Sequence, residues 1–157
     1  MTDEKKLKTA QNIYDTLCAM LDEKDVKYVK HEEDLVITFT MVGDDLPMGF
    51  MLNIDAEREL IRLLSPIPVT FEDDKRLEGA IATSQINYRI ADGSFDYNYK
   101  KGTVIFRLTS SYIDSLISKD LLEYMVGVAG YTIDEYNDKL VMLAKGELPL
   151  EAFFEKK

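Results

Sequence analysis

The side chains with the widest chemical range are crowded into one short segment, in which His31 is followed by Glu32, Glu33 and Asp34. Imidazole and carboxylate groups bind transition metals, so the segment raises the question of a metal site. However, neighbouring side chains of a strand point to opposite faces, and tight metal sites draw ligands from separate segments. His31 is also the only histidine. We interpret the segment as a solvated turn between strands and predict no metal site.

Two pairs of neighbouring carboxylates, Asp44-Asp45 and Asp73-Asp74, have the chemistry for acid–base catalysis. Each pair also has a local explanation, since the first lies in a turn pattern and the second suits the positive end of a helix dipole. Cys18 lies in an apolar helical stripe and is interpreted as a small core residue. The chain has no phosphate loop with its lysine and no G-x-S-x-G turn. We predict no catalytic residues, no cofactor and no enzyme activity.

Three methionines, Met41, Met48 and Met51, flank one predicted hairpin. Flexible, polarizable methionine side chains suit surfaces that accept varied apolar partners. Phe153 and Phe154 near the C-terminus are a second candidate anchor for a partner. The alternative for these five residues is that they fill the core or dock a helix on its own domain.

Three tyrosines support a different hypothesis. Tyr88, Tyr97 and Tyr124 are predicted to lie near a pocket between the sheet and the long last helix. Such a pocket would make the chain a small-molecule-sensing domain, and the sequence leaves this alternative open.

The 157-residue chain has a net charge of -10, from 19 basic and 29 acidic side chains. Binding to nucleic acid or to an anionic membrane needs clustered Lys and Arg, and no run of these residues is longer than two. One cysteine permits no internal disulfide, and no apolar run approaches the roughly 20 residues that span a bilayer. The first residues lack the apolar segment of a secretory signal. We expect one domain over residues 1–157, in the cytoplasm, that binds neither nucleic acid nor membrane.

The hydrophobic pattern predicts a helix over 4–23 and strands over 26–30, 35–42, 48–54 and 60–64. Pro66 and Pro68 are expected to end this set of strands, and Thr70 to cap a second helix. The inner face of that helix is predicted to consist of Leu77, Ala80, Ile81, Ser84 and Tyr88.

A second hairpin is predicted over 94–99 and 103–109, followed by a long helix that Ser118 caps and Gly146 ends. Pro149 is expected to open a short last helix. Gly127 and Gly130 lie inside the long helix, where they mark either close packing or a bend. The order of elements favours an α+β fold, one twisted antiparallel sheet with helices packed on a face.

Several residues in the second half of the chain match a known pattern: Asn87, Gly93-Ser94-Phe95-Asp96, Gly102-Thr103-Val104-Ile105-Phe106-Arg107, Ser118-Lys119-Asp120-Leu121-Leu122 and Lys145-Gly146. From Asn87 onward the chain resembles the YbjN family of proposed bacterial sensory-transduction regulators, whose domains are similar in fold to type III secretion chaperones. The absence of tryptophan and the two glycines of the last helix depart from the family pattern. The resemblance implies a strongly twisted sheet and a homodimer, and it brings no catalytic residues.

The leading hypothesis is a non-enzymatic, chaperone-like or regulatory adaptor that recognises a protein segment or effector. An extended peptide would add to an exposed sheet edge or lie on an apolar patch near Met48 and Met51. The acidic surroundings would favour a basic segment.

Overall fold

The computed structural model describes residues 3–154. Its helices are α1 (Glu4–Glu23), α2 (Arg76–Arg89) and α3 (Lys119–Ala144). Its strands are β1 (Tyr28–His31), β2 (Val36–Val42), β3 (Pro47–Asp55), β4 (Leu60–Thr70), β5 (Ser94–Asn98) and β6 (Thr103–Ser111). Short 3-10 helices cover Glu32–Asp34 and Leu150–Phe153.

The strands form one antiparallel sheet in the order β1-β2-β3-β4-β6-β5. Strands β1 to β4 form a meander, after which α2 and β5 intervene before β6 returns to pair with β4. All three helices pack on one face, the helix-covered face, and they bury alternate residues of the strands. The other face, the open face, carries no helix from the described part of the chain. The predicted α+β fold, one antiparallel sheet with helices packed on a face, is confirmed.

Two of the three long helices, α1 and α3, begin with a side-chain cap. The Asp3 carboxylate accepts a hydrogen bond from the Lys6 amide (2.7 Å), and Ser118 Oγ accepts one from the Leu121 amide (3.2 Å). Gly146 has φ +76° just after α3, and its N–H donates to the Leu143 carbonyl (3.0 Å). The predicted start and end of the long helix are therefore confirmed.

The prediction that Pro66 and Pro68 end the first set of strands is wrong, since β4 continues to Thr70. Pairing between β3 and β4 stops at Leu64, so the rest of β4 has only β6 as a neighbour. A proline in that stretch need not remove a ladder hydrogen bond, because one side of the strand is already an edge. The register of β4 against β6 also shifts between Pro66 and Thr70.

The predicted start and inner face of the second helix are also wrong. Thr70 belongs to β4, and α2 begins at Arg76 without a side-chain cap. Its buried residues are Gly79, Ala82, Thr83 and Ile86, whereas Leu77 is 62% and Tyr88 is 87% exposed. A Cβ on Gly79 would lie 2.7 Å from Phe71 Cγ, so the small residues, and not the apolar ones, allow α2 to approach the sheet.

The two glycines inside α3 differ in their surroundings. A Cβ on Gly130 would lie 3.4 Å from Met41 Cε, whereas one on Gly127 would meet no atom within 4 Å. Gly130 is thus a site of close packing against β2, and α3 runs unbroken through both glycines. Within residues 3–154, no helix is both long and apolar enough to cross a membrane.

Candidate functional site

The side chains of strand β3 alternate between the two faces of the sheet. Met48, Phe50, Leu52 and Ile54 are buried on the helix-covered face. Met51 points to the open face and is 36% exposed. The alternation follows from the two-residue period of a strand, as the sequence predicts.

The open face carries a hollow of about 670 Å³ beside Gly49. Gly49 lies opposite Thr40 of β2, and Met51 lies opposite Thr38. A Cβ on Gly49 would meet no atom within 4 Å. We define the Gly49 hollow by its open-face residues, which are Val29, Thr38, Thr40, Gly49, Met51 and Pro66.

Neither backbone conformation nor packing requires a glycine at position 49. The glycines with left-handed backbone conformations are Gly93, Gly102 and Gly146. Glycine inside a strand costs about 0.5–1 kcal/mol relative to alanine. What Gly49 provides in return is empty space over the strand, wide enough to admit a side chain from another molecule.

Two polar clusters border the apolar part of the open face. Along β3 beyond Met51, Arg62 Nη2 donates to Asn53 Oδ1 (2.9 Å) and to Asp55 Oδ2 (3.2 Å). Across the sheet, Arg107 Nε donates to a carboxylate oxygen of Asp96 (2.6 Å), and this hydrogen bond raises the pKa of Arg107. An apolar centre with a polar margin is the usual composition of a protein-binding surface.

At the β5 edge of the sheet, one side chain occupies the outward backbone groups of Phe95. Asn87 of α2 donates from Nδ2 to the Phe95 carbonyl (3.1 Å), and its Oδ1 accepts from the Phe95 amide (2.7 Å). An added strand at this edge would have to displace both hydrogen bonds. Asn87 therefore occupies the backbone groups that a partner strand needs.

The β1 edge has no such closure. In an antiparallel edge strand, alternate residues direct their N–H and C=O groups away from the sheet. Among the hydrogen bonds of residues 3–154, none joins a side chain to the backbone of Tyr28, Val29 or Lys30. Val29 also lines the Gly49 hollow and is 59% exposed. The accessible edge and the hollow are thus one continuous surface.

The structure does not bring the five candidate partner-binding residues together. Met51 lies on the open face, but Met48 is only 4% exposed on the helix-covered face, so the two cannot share one surface patch. Met41 packs against Gly130 on the helix-covered face. Phe153 is buried, whereas Phe154 is partly exposed beyond the last 3-10 helix.

The three candidate pocket tyrosines also lie apart. Tyr97 Oη donates to the Arg76 carbonyl (2.7 Å), and burial raises the pKa of Tyr97. Tyr124 Oη donates to Asp92 Oδ2 (2.6 Å), a hydrogen bond that raises the pKa of Tyr124. Tyr88 lines a cleft outside the core, between α2, α3 and the last 3-10 helix. Buried side chains of α3 occupy much of the space between the sheet and α3, where the pocket was predicted. Tyr124 lines a separate hollow of about 630 Å³, together with residues of α1 and with Met41 of β2.

The reactive groups singled out from the sequence have ordinary surroundings. Burial raises the pKa of the Cys18 thiol, which lowers its thiolate fraction. His31 Nε2 lies 3.5 Å from Thr38 Oγ1 on the open face. In the part of the chain that the structure describes, no three His, Cys, Asp or Glu side chains are arranged to hold a metal ion.

Sequence reasoning missed Gly49, Pro66 and the role of Asn87 at the β5 edge. A glycine in the middle of an alternating strand was the available signal for the hollow, because it breaks β propensity without a turn pattern. The contacts of Asn87 and Pro66 depend on tertiary pairing and have no local signal.

Comparison with known proteins places the chain in a family. The sequence model of YbjN, described as "Putative bacterial sensory transduction regulator", matches residues 14–141. The chain belongs to the YbjN family. No curated protein sequence matches it.

Solved structures support the same fold. The crystal structure of YbjN from E. coli, described as a putative transcription regulator, has a TM-score of 0.58 at 12% identity, covering 85% of this chain and 91% of that one. A chain of the HopA1-SchA chaperone-effector complex has a TM-score of 0.52 at 16% identity, covering 84% and 95%. A chain of the ExsC-ExsE complex has 0.51 at 14%, covering 82% and 95%. These likenesses show the fold of this YbjN-family chain.

Proposed function

We propose that this chain is a non-enzymatic, chaperone-like or regulatory adaptor that binds an extended segment of a partner protein at β1 and the Gly49 hollow. The observation that carries the proposal is the position of Val29, which belongs both to the accessible edge strand and to the wall of the hollow. A partner strand would pair with the backbone of β1. One of its side chains would enter the hollow.

The chemistry of the surface suits this mode of recognition. Main-chain hydrogen bonds to an edge strand give affinity for any extended peptide, and a pocket for a side chain gives specificity. The hollow is lined by Met51, Val29 and Pro66 together with two threonine side chains. We expect an aliphatic or aromatic side chain of the partner to fill it.

The fold likeness gives independent support. One similar structure is described as a chaperone-effector complex and another as a complex of two named proteins. A YbjN-family chain with this fold is therefore a reasonable candidate for binding a protein partner, and the family match offers no catalytic residues.

The negative charge of the chain predicts a partner segment that is basic. The net charge of -10 favours encounter with a basic segment through long-range steering. Lys27 is the charged residue among those that line the hollow, so we place the basic residues of the partner outside it. Association should slow as the salt concentration rises.

The test uses affinity purification from the native cytoplasm, with mass spectrometry, on wild type and two filled variants. Gly49→Leu fills the hollow. Gly127→Leu is the matched control, because a Cβ at either glycine meets no atom within 4 Å and Gly127 lies on the other side of the sheet. We expect wild type and Gly127→Leu to retain a stoichiometric partner that Gly49→Leu loses.

The partner's binding segment is then measured directly by calorimetry against the three proteins. Blocking the hollow should weaken binding about tenfold or more, the loss expected when a buried anchor side chain is excluded. Equal affinities for wild type and Gly49→Leu, with both proteins folded, would show that the segment binds elsewhere.

The homodimer implied by the family resemblance is also a proposal, and we place it on the exposed side of α2. Leu77 and Ile81 lie one turn apart on one side of this helix, and Leu77 is strongly exposed. Sedimentation of wild type and Leu77→Asp would test it. A dimer unaffected by Leu77→Asp would contradict this location.

A further inference from the structure

A large concavity lies outside the proposed partner-binding surface. This α2–α3 cleft, of about 1080 Å³, is bounded by the end of α2 and the loop after it, by the second half of α3 and by the last 3-10 helix. The volume matches that of pockets that bind small organic molecules. The cleft lies on the helix side of the sheet, away from Gly49.

The cleft has an apolar floor with aromatic walls. Its apolar lining includes Ile90, Val128, Met142 and Leu148. Tyr88 and Tyr131 stand at its rim, 87% and 74% exposed. Two exposed tyrosines beside an apolar floor suit a ligand with an apolar or aromatic body.

Five charged side chains also line the cleft, two basic and three acidic: Arg89, Lys139, Asp92, Glu135 and Asp138. None of the five forms an ion pair with a side chain of residues 3–154, although eight ion pairs occur there and Asp92 accepts the hydrogen bond from Tyr124. Both signs are therefore available to groups from outside the protein.

Both cations lie near Tyr136. Lys139 Nζ is 5.5 Å from the centre of the Tyr136 ring. Burial raises the pKa of Tyr136, the negative charge of Glu135 adds to that rise, and the positive charge of Arg89 opposes it. Arg89 and Lys139 thus both supply positive charge beside the aromatic wall.

The acidic side of the cleft contains an unsatisfied group. Asp138 Oδ1 is inaccessible to solvent and has no hydrogen-bond donor within the described chain. Desolvating a carboxylate oxygen without a partner is unfavourable, and a cation bound beside the same carboxylate offsets that cost. Glu135, three residues earlier on α3, adds a second negative charge.

We propose that the α2–α3 cleft binds a zwitterion with an apolar body, the chemistry shared by apolar amino acids and by short apolar peptides with free termini. The ligand's ammonium group lies beside Asp138 and Glu135. Its carboxylate lies beside Arg89 and Lys139, and its apolar side chains cover the floor between them. A ligand with one charge would leave one of the two charged regions uncompensated.

The first experiment measures binding of four probes to the full chain by calorimetry and by the shift in melting temperature. The probes are phenylalanine, the dipeptide leucyl-phenylalanine, its N-acetylated form and its C-terminal amide. We expect the free dipeptide or phenylalanine to bind, and each blocked dipeptide to bind about tenfold or more weakly than the free one, since each loses one charged contact. The tighter of the two free ligands shows whether a peptide or an amino acid is the source.

Two variants test the contacts of the two charged ends of the ligand one at a time. Arg89→Gln should weaken binding of the free dipeptide and reduce the further loss of affinity that C-terminal amidation causes. Asp138→Asn should reduce the loss of affinity that N-terminal acetylation causes. Lys8→Gln and Asp74→Asn make the same charge changes outside the cleft and should leave all affinities unchanged. No binding of either free ligand at millimolar concentration, or equal binding of free and blocked dipeptides, would overturn the proposal.

Discussion

At the β5 end of the sheet, the Asn87 side chain forms hydrogen bonds with both the N–H and the C=O of Phe95, so the outward backbone groups of this residue are already occupied. At the β1 end, the edge strand has four residues and adjoins the Gly49 hollow. Edge strands invite pairing with other chains. One end of the sheet is thus closed by the protein's own side chain, and the other end is available to a partner.

The same contrast appears in the glycines of the two ends. Gly93, before β5, has φ +76°, and a Cβ there would lie 2.5 Å from Phe106 Cζ. Gly49, in β3, has an open position above it and no positive φ. The glycine at the closed end serves the fold, whereas the glycine at the open end serves no structural purpose that the contacts reveal.

The largest expected difference is in the free energy of unfolding, when the glycine of each end is replaced by alanine. Gly93→Ala should lower the free energy of unfolding by about 3 kcal/mol, because it combines left-handed backbone strain with overlap against Phe106. Gly49→Ala should leave it unchanged or raise it by up to about 1 kcal/mol. Denaturation by urea measures both. A similar loss in the two variants would remove the distinction between the ends.

The second largest effect concerns the closure itself. Asn87→Ala leaves the Phe95 amide and carbonyl without partners and should cost about 2 kcal/mol. It should also open the β5 edge, so we expect concentration-dependent association beyond that of wild type, measured by light scattering. Asn87→Asp is the control, since it keeps the acceptor for the Phe95 amide and should cost less. An Asn87→Ala protein that is as stable and as monodisperse as wild type would show that Asn87 does not protect the edge.

The family residues quoted from the sequence belong mainly to this closed end. Asp96 pairs with Arg107, and the Phe95 ring packs edge to face against Phe106 with centroids 5.1 Å apart. Gly102 has φ +73° and accepts a hydrogen bond from the Phe71 amide (2.8 Å). The motif therefore specifies a hairpin and its packing. For this reason the motif predicted the fold well but identified no functional site.

What the sequence could predict follows from the range of each interaction. The period of α1, the alternation in β3 and the caps of α3 are local, and the structure confirms them. The end of β4 and the inner face of α2 depend on which strands and side chains lie opposite, so local propensity gave the wrong result. The grouping of Met48 with Met51 is a different error, because the local two-residue period of the strand already sends them to opposite faces.

A third, smaller effect should appear in the loop between β2 and β3, near the open end. Asp134 of α3 accepts hydrogen bonds from the amides of Asp44 (3.0 Å) and Asp45 (3.4 Å), and a Cβ on Gly43 would overlap its carboxylate. Asp134→Ala should cost about 1 kcal/mol, because the bonds are charge-assisted but exposed. It should speed hydrogen exchange at the Asp44 and Asp45 amides and leave the Phe95 amide unchanged. Faster exchange at Phe95 would indicate that the two ends are coupled.

The smallest effect is a dependence on pH that only the open end should show. The pKa of Asp45 is raised above its ordinary value of 3.8, first by loss of hydration and then by the charges of Asp138, Asp134 and Asp44, while Lys139 opposes the rise. Because the folded state binds this proton more tightly, the associated stability is fully present below pH 3.8 and is lost as the pH rises through the raised pKa.

Asp45→Asn removes that loss, so the variant should gain in melting temperature over wild type as the pH rises from the acidic side to neutrality. Added salt should narrow the gap at neutral pH, because it screens the repulsion between the exposed carboxylates. A gap that is independent of pH, or that shrinks toward neutral pH, would show that the crowding of these carboxylates does not strain the loop. In that case the loop at the open end would be held as firmly as the hairpin at the closed end.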